Sequence, residues 1–134
     1  MTSKKKSFSE EDLKSLEDGL NAFDRQDYEQ AFNLLRPLAR DGNTRAQCQL
    51  GIQYQLGLGV NRHLTKAVRW WLRAVELGDG RAAYLMGTLF LKGTHEIRVN
   101  LEKSQNWYRR ASELGYQVAN PEPENTTEPE SATN

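Results

Sequence analysis

From Leu13 to Leu114 the apolar residues recur three and four positions apart with charges between them, which is the spacing of amphipathic helices and not of strands. Ala46, Leu50 and Tyr54 follow i, i+4, i+8 on one helix face, and Gly57 and Gly59 then break that helix. A second helix is predicted from about Thr65 to Leu77, with Ala67, Trp70, Trp71, Ala74 and Leu77 on its apolar side. Gly78 stands where a left-handed C-terminal cap belongs, Asp79 can cap the next helix, and Asn100 can cap another from about Leu101 to Leu114. Upstream, Ser9 and Asp12 have capping-box spacing ahead of Leu13, Leu16, Leu20 and Phe23. Asp27 with Gln30 is a similar cap for a helix carrying Ala31, Leu34, Leu35 and Leu38, ended by Gly42. Pro37 removes a donor inside that helix and is expected to bend it.

The pattern repeats. Ala46, Leu50, Gly51, Tyr54 and Gly57 match Ala82, Met86, Gly87, Phe90 and Gly93 at an offset of 36. Lys66, Trp70, Trp71, Arg73, Ala74, Glu76, Leu77 and Gly78 match Lys103, Trp107, Tyr108, Arg110, Ala111, Glu113, Leu114 and Gly115 at 37, so one residue is inserted in the loop between. Self-similarity at this period marks a solenoid of helix pairs. Gly51 and Gly87 are the small residues that let a partner helix approach, against a helix cost of about 1 kcal/mol each. The expected fold is all-α, an α-solenoid of about three helix-turn-helix repeats. Its parts are a disordered basic N-terminus (1–8), a divergent helical pair (9–44), two full repeats (45–80 and 81–118) and a disordered acidic C-terminal tail (119–134).

The string Ala46-x-x-x-Leu50-Gly51-x-x-Tyr54-x-x-Gly57-x-Gly59-Val60, followed by Lys66-Ala67-x-x-Trp70-Trp71-x-x-Ala74-x-x-x-Gly78, resembles the Sel-1-like repeat, a relative of the tetratricopeptide repeat with a longer inter-helix loop. Gly87, Phe90, Gly93, Lys103, Trp107, Tyr108, Ala111 and Gly115 extend the resemblance to the next unit. Gly19, Ala22, Tyr28 and Ala31 look more like a plain tetratricopeptide unit. Two departures stand out. His95 or Glu96 replaces the second glycine of the loop after Gly93, so the pattern does not define that loop's path. His63, where the family usually has an acidic cap, is expected to cap less well than Asn100. The resemblance implies an interaction scaffold whose first helices line a concave groove.

Composition changes the picture in one respect. The 134 residues carry 18 basic and 18 acidic side chains, but residues 1–44 sum to −2, residues 45–116 to +6 and residues 117–134 to −4. The last segment holds three of the four prolines and no large apolar residue beyond Val118, so it cannot repay its ordering entropy. No run approaches the roughly 18 apolar residues of a membrane span, and the basic start has no apolar run behind it, so a cytoplasmic protein without a membrane role is expected.

Candidate chemistry is sparse. Gly57-Leu58-Gly59 is half of a dinucleotide fingerprint, but it follows a helix and not a strand. His63 and His95 read as exposed loop residues, and Cys48 has no neighbouring base. No catalytic, metal or cofactor residue is assigned and no cofactor is expected; an enzyme subunit or nucleotide-binding regulator is the more distant alternative. Trp70, Trp71 and Trp107 recur at repeat spacing, as packing residues do.

Two surfaces remain as binding candidates. One is the groove side of the first helices: Leu16, Leu20 and Phe23, then Cys48, Ile52, Gln55 and Leu56, then Tyr84, Thr88 and Leu91. More than half of these are large and apolar, although packing between neighbouring first helices would account for them too. The other is a basic face of the second helices, Lys66, Arg69, Arg73, Lys103, Arg109 and Arg110. That face suits an acidic protein surface; nucleic acid is disfavoured because the aromatics fall on the opposite side. The expectation is a protein-interaction module that takes a peptide or helix of a partner in the groove. Arg45, Arg81 and Lys92 would favour an acidic ligand, and the exposed ends of a short array would invite dimerisation or incorporation in a larger complex.

Overall fold

The computed structural model describes residues 7–117; apart from Ser7 and Phe8, the expected basic start and acidic tail lie outside the described residues. Those residues form six helices and no strand: α1 (Glu10–Asp24), α2 (Tyr28–Arg40), α3 (Thr44–Leu56), α4 (Leu64–Glu76), α5 (Gly80–Lys92) and α6 (Leu101–Glu113). They pair into units 1 (α1/α2), 2 (α3/α4) and 3 (α5/α6). Each helix packs chiefly on the one before and the one after it, more closely within a unit than between units.

Local chemistry sets the helix ends. The Ser9–Asp12 capping box is formed in both directions, and Asn43, Asp79 and Asn100 accept from Ala46, Arg81 and Lys103 amides. Asp27 departs from expectation: it makes no side-chain cap, and the nearby Gln30 carboxamide oxygen instead accepts from Arg25. His63 does form a cap, at a longer distance than the 3.0 Å of Asn100. Its Nδ1 accepts from the Lys66 amide at 3.2 Å, so the imidazole serves the cap an acidic residue would. The glycines Gly42, Gly78 and Gly115 follow α2, α4 and α6 with φ of 90–99°, the left-handed turn that only glycine adopts without strain. Helix α2 runs on through Pro37 to Arg40.

Each unit closes on a glycine of its first helix. A Cβ at Gly19 would meet Leu35, one at Gly51 would overlap the Trp71 indole, and one at Gly87 would come within 2.6 Å of the Tyr108 ring. These three pairs fix the register of the array: α1, α3 and α5 correspond through Gly19, Gly51 and Gly87, and α2, α4 and α6 through Leu35, Trp71 and Tyr108. One core lies across units 1 and 2 around Leu35, Leu38, Ala46 and Leu50. The other lies across units 2 and 3 around Trp71, Val75, Met86 and Leu89.

The two joints differ in chemistry. Between units 1 and 2, the buried Gln47 donates to the Ala39 carbonyl, and the buried Gln53 donates to the carbonyls of Tyr28 and Leu58. Between units 2 and 3, the corresponding positions are Ala83 and Leu89, both buried, and the joint is apolar.

Candidate functional site

The register separates the groove residues into two classes. Position 16/48/84 points toward the following unit. Leu16 packs on the core that Ala46 and Leu50 complete, and Cys48 is 2% exposed, enclosed with Trp71, Ala82 and Ala83. Cys48 is therefore no groove residue, which corrects the expectation. The spacing identified a helix face but could not show that α5 covers it. Burial pushes the Cys48 thiol up to about 12, and its carbonyl accepts from the Trp71 indole at 3.1 Å. A thiol so raised and enclosed is chemically inert. Tyr84 occupies the same position in unit 3, where no described element follows, and its ring lies 5.2 Å from Tyr108 and 5.4 Å from Tyr116.

The remaining groove positions form a half-buried to exposed stripe. Leu20 and Phe23 pack against the first core, Ile52 against the second, and Gln55 is half-buried. Thr88 is engaged internally, its hydroxyl 2.9 Å from that of Tyr108. Leu56 at 58% and Leu91 at 43% are the openly exposed members. Leu91 and Tyr84 join Tyr108, Ala111, Ser112, Tyr116 and Gln117 around a cavity of about 320 Å³ at the end of the array.

Most of the basic face has internal work. Lys66 lies over the Tyr54 ring and Lys103 over Phe90, the same contact one repeat apart, and Arg73 covers Trp70 at 4.7 Å. Arg110 pairs with Glu113 and Arg109 donates to Asn106, which leaves Arg69 as the member with no such contact. All six stay exposed, and three of them, Lys66, Arg73 and Lys103, act as clamps over aromatic residues of their own units.

The inter-helix loops hold a feature the sequence reading missed. Tyr54 and Phe90 carbonyls accept from the His63 and Asn100 amides, so both loops close in the same way. In the third unit Thr94 substitutes for the missing glycine geometry, its hydroxyl accepting from the Glu96 and Ile97 amides. The turn presents Glu96 to Arg62 of the preceding loop in a two-pronged pair at 3.0 Å. Those hydrogen bonds hold the Glu96 carboxyl down at about 2. Aligning the two loops by their repeat offset is the signal that could have paired them. Beside the pair an open cavity of about 500 Å³ lies among His63, Leu64, Val68, Arg69 and Ile97.

Among the described residues, no group of three or more His, Cys, Asp or Glu side chains could hold a metal ion, and no helix is long and apolar enough to cross a membrane.

The sequence model of the Sel1 repeat matches three times, at residues 15–43, 44–79 and 80–116, and so includes the divergent first pair. An Arabidopsis thaliana protein named ERAD-associated E3 ubiquitin-protein ligase component HRD3A is 36% identical over 70 residues, 52% of this chain and 10% of its own. The putative sel1-like repeat-containing protein L21 of Acanthamoeba polyphaga mimivirus is 24% identical over 65% of this chain and 15% of its own. The chain thus spans only a small part of these curated relatives. A Sel1 repeat protein from Oxalobacter formigenes superposes with TM-score 0.65 at 33% identity, over 75% of this chain and 41% of the other. The Escherichia coli protective antigen c5321, with an SLR fold, gives 0.70 at 28% identity, over 78% and 23%. With three matched repeats, a glycine–aromatic lock repeated in the last two and solved neighbours of the same architecture, this chain belongs to the Sel1-repeat family.

Proposed function

We propose that the chain is an adaptor module that binds a peptide or helix of a partner protein along the stripe of its first helices. Sel1-repeat proteins, relatives of the tetratricopeptide-repeat proteins, generally mediate protein–protein interaction. The observation that carries the reading is a contrast between the two candidate surfaces. Five of the six basic side chains are committed to contacts within their own units, whereas Leu56 and Leu91 are large, apolar and exposed on successive first helices with Ile52 beside them. Exposed apolar anchors of this kind supply binding energy when a partner covers them. The Arabidopsis relative is named a component of a ligase, which supports a role within a larger assembly.

The test is Ile52→Ala with Leu56→Ala. The double variant is expected to keep its helix content and to lose capture of partner proteins by about a thousandfold if the two anchors add, at roughly 2 kcal/mol for each. Undiminished capture by the folded variant would move the binding surface elsewhere.

A further inference from the structure

The two ends of the array are unlike. Ala46, Gln47, Leu50 and Gln53 of α3 face unit 1, and their counterparts Ala82, Ala83, Met86 and Leu89 of α5 face unit 2; all eight are buried. The same positions of α1 are Lys14, Ser15, Asp18 and Asn21, with a surface ion pair between Lys14 and Asp18. The upstream-facing side of α1 is thus polar.

The C-terminal end is not. The downstream-facing set is Leu16, Leu35, Leu38 and Ala39 in unit 1 and Cys48, Trp71, Ala74 and Val75 in unit 2, each covered by the next first helix. In unit 3 it is Tyr84, Tyr108, Ala111 and Ser112, flanked by Leu91 and Tyr116 around the 320 Å³ cavity. The hydroxyls of Tyr84 and Tyr116 make no hydrogen bond within the described residues.

We infer that this end face is a docking site for one α-helix of a partner protein, one that presents small residues at two adjacent positions and larger unbranched or leucine-like side chains three or four and six or seven residues on. The inference comes from continuity with the interface one unit earlier, where α5 covers the equivalent face with Ala82, Ala83, Met86 and Leu89. The free hydroxyls of Tyr84 and Tyr116 add to that pattern a demand for polar groups at the rim of the partner helix. A second copy stacked head to tail would bring Lys14, Ser15, Asp18 and Asn21 against the tyrosines, a polar face on an apolar one. Residues 118–134, with three prolines and no aliphatic residue larger than Val118, do not carry the required spacing. The proposal rests on the interaction-module reading and deepens it by naming the occupant and a second contact surface.

The probe is a synthetic peptide of residues 79–92, hydrocarbon-stapled between positions 84 and 88, which turn toward α6 in the array and leave the Ala82/Ala83/Met86/Leu89 face free. It is titrated into the full chain labelled for NMR. Saturable shift changes are expected around Tyr84, Leu91, Tyr108, Ser112 and Tyr116. Ser112→Arg, an exposed change that leaves the melting temperature unaltered, is expected to raise Kd at least tenfold, with Leu91→Arg as the second variant. The Ile52→Ala/Leu56→Ala chain is expected to bind the peptide as the unaltered chain does, which keeps a failure of this site apart from a failure of the first-helix stripe. Absence of saturable shifts at millimolar peptide, or shifts confined to α1–α4, would overturn the proposal. So would concentration-dependent self-association abolished by Ser112→Arg, which would put a second copy on the face.

Discussion

Units 2 and 3 are built on one plan and differ in whether a described helix covers their downstream face. Gly51 receives Trp71 and Gly87 receives Tyr108; Lys66 covers Tyr54 and Lys103 covers Phe90; the loops close on the Tyr54 and Phe90 carbonyls. Yet Trp71 is fully buried under α5, whereas Tyr108 is half-buried and answers with a hydroxyl bonded to Thr88. Among the described residues, the lock that a following helix covers is fully sealed, and the one without such a cover holds a tyrosine, whose ring fills the lock and whose hydroxyl tolerates water.

The sharpest way to break this comparison is to add one methyl group at each lock. Gly51→Ala is expected to destabilise by about 1–3 kcal/mol, because the enclosed indole cannot yield. Gly87→Ala is expected to cost about 1 kcal/mol or less, since Tyr108 can swing outward. Urea midpoints for the two variants check the order, and equal losses would show that the end unit is as rigidly packed as the inner one. The next effect concerns the joints. Gln53→Leu imports the residue of the apolar joint into the polar one and strands the Tyr28 and Leu58 carbonyls, at an expected cost of roughly 1–3 kcal/mol. Thermal unfolding checks it.

How far the sequence could be read follows from which forces are local. Caps at Ser9, Asp79 and Asn100, the terminating glycines and the repeat offset depend on neighbours within a few residues or on self-similarity, and all were legible. The His63 cap, 3.2 Å against 3.0 Å at Asn100, shows that the bond needs only an acceptor nitrogen at the right place. The direction of Cys48 and Tyr84 was not legible. Position 48 lies two residues from both Ala46 and Leu50, so helical periodicity puts it off their stripe; only the placement of α5 shows that this second side is also covered. The Arg62–Glu96 pair was hidden for a similar reason, since it joins two loops whose separation depends on how the units stack.

That pair gives the smallest effect and the finest test of the loops. Because the folded Glu96 carboxyl titrates at about 2 against an ordinary 4.5, its contribution is present above the ordinary value and fades as pH falls through the folded one. Arg62→Gln is expected to return the carboxyl toward 4.5 in a carbon-detected NMR titration and, the pair being exposed, to leave the melting temperature almost unmoved. A carboxyl that still titrates near 2 would show that the Thr94 turn, and not the neighbouring loop, sets it.

The contrast between a sealed inner face and an open end face is tested most directly with thiol chemistry at one repeat position. Cys48 supplies the inner thiol, and Tyr84→Cys in a Cys48→Ala background supplies the equivalent thiol at the end of the array. With the inner thiol raised to about 12, its thiolate is about a thousandfold scarcer than that of an ordinary exposed cysteine, and its enclosure slows reagent access further. The account predicts that an aromatic disulfide reagent modifies the Tyr84→Cys thiol at least about a thousandfold faster than Cys48 at neutral pH. It also predicts that the stapled helix of residues 79–92 protects the faster thiol. Comparable rates at the two positions would contradict it.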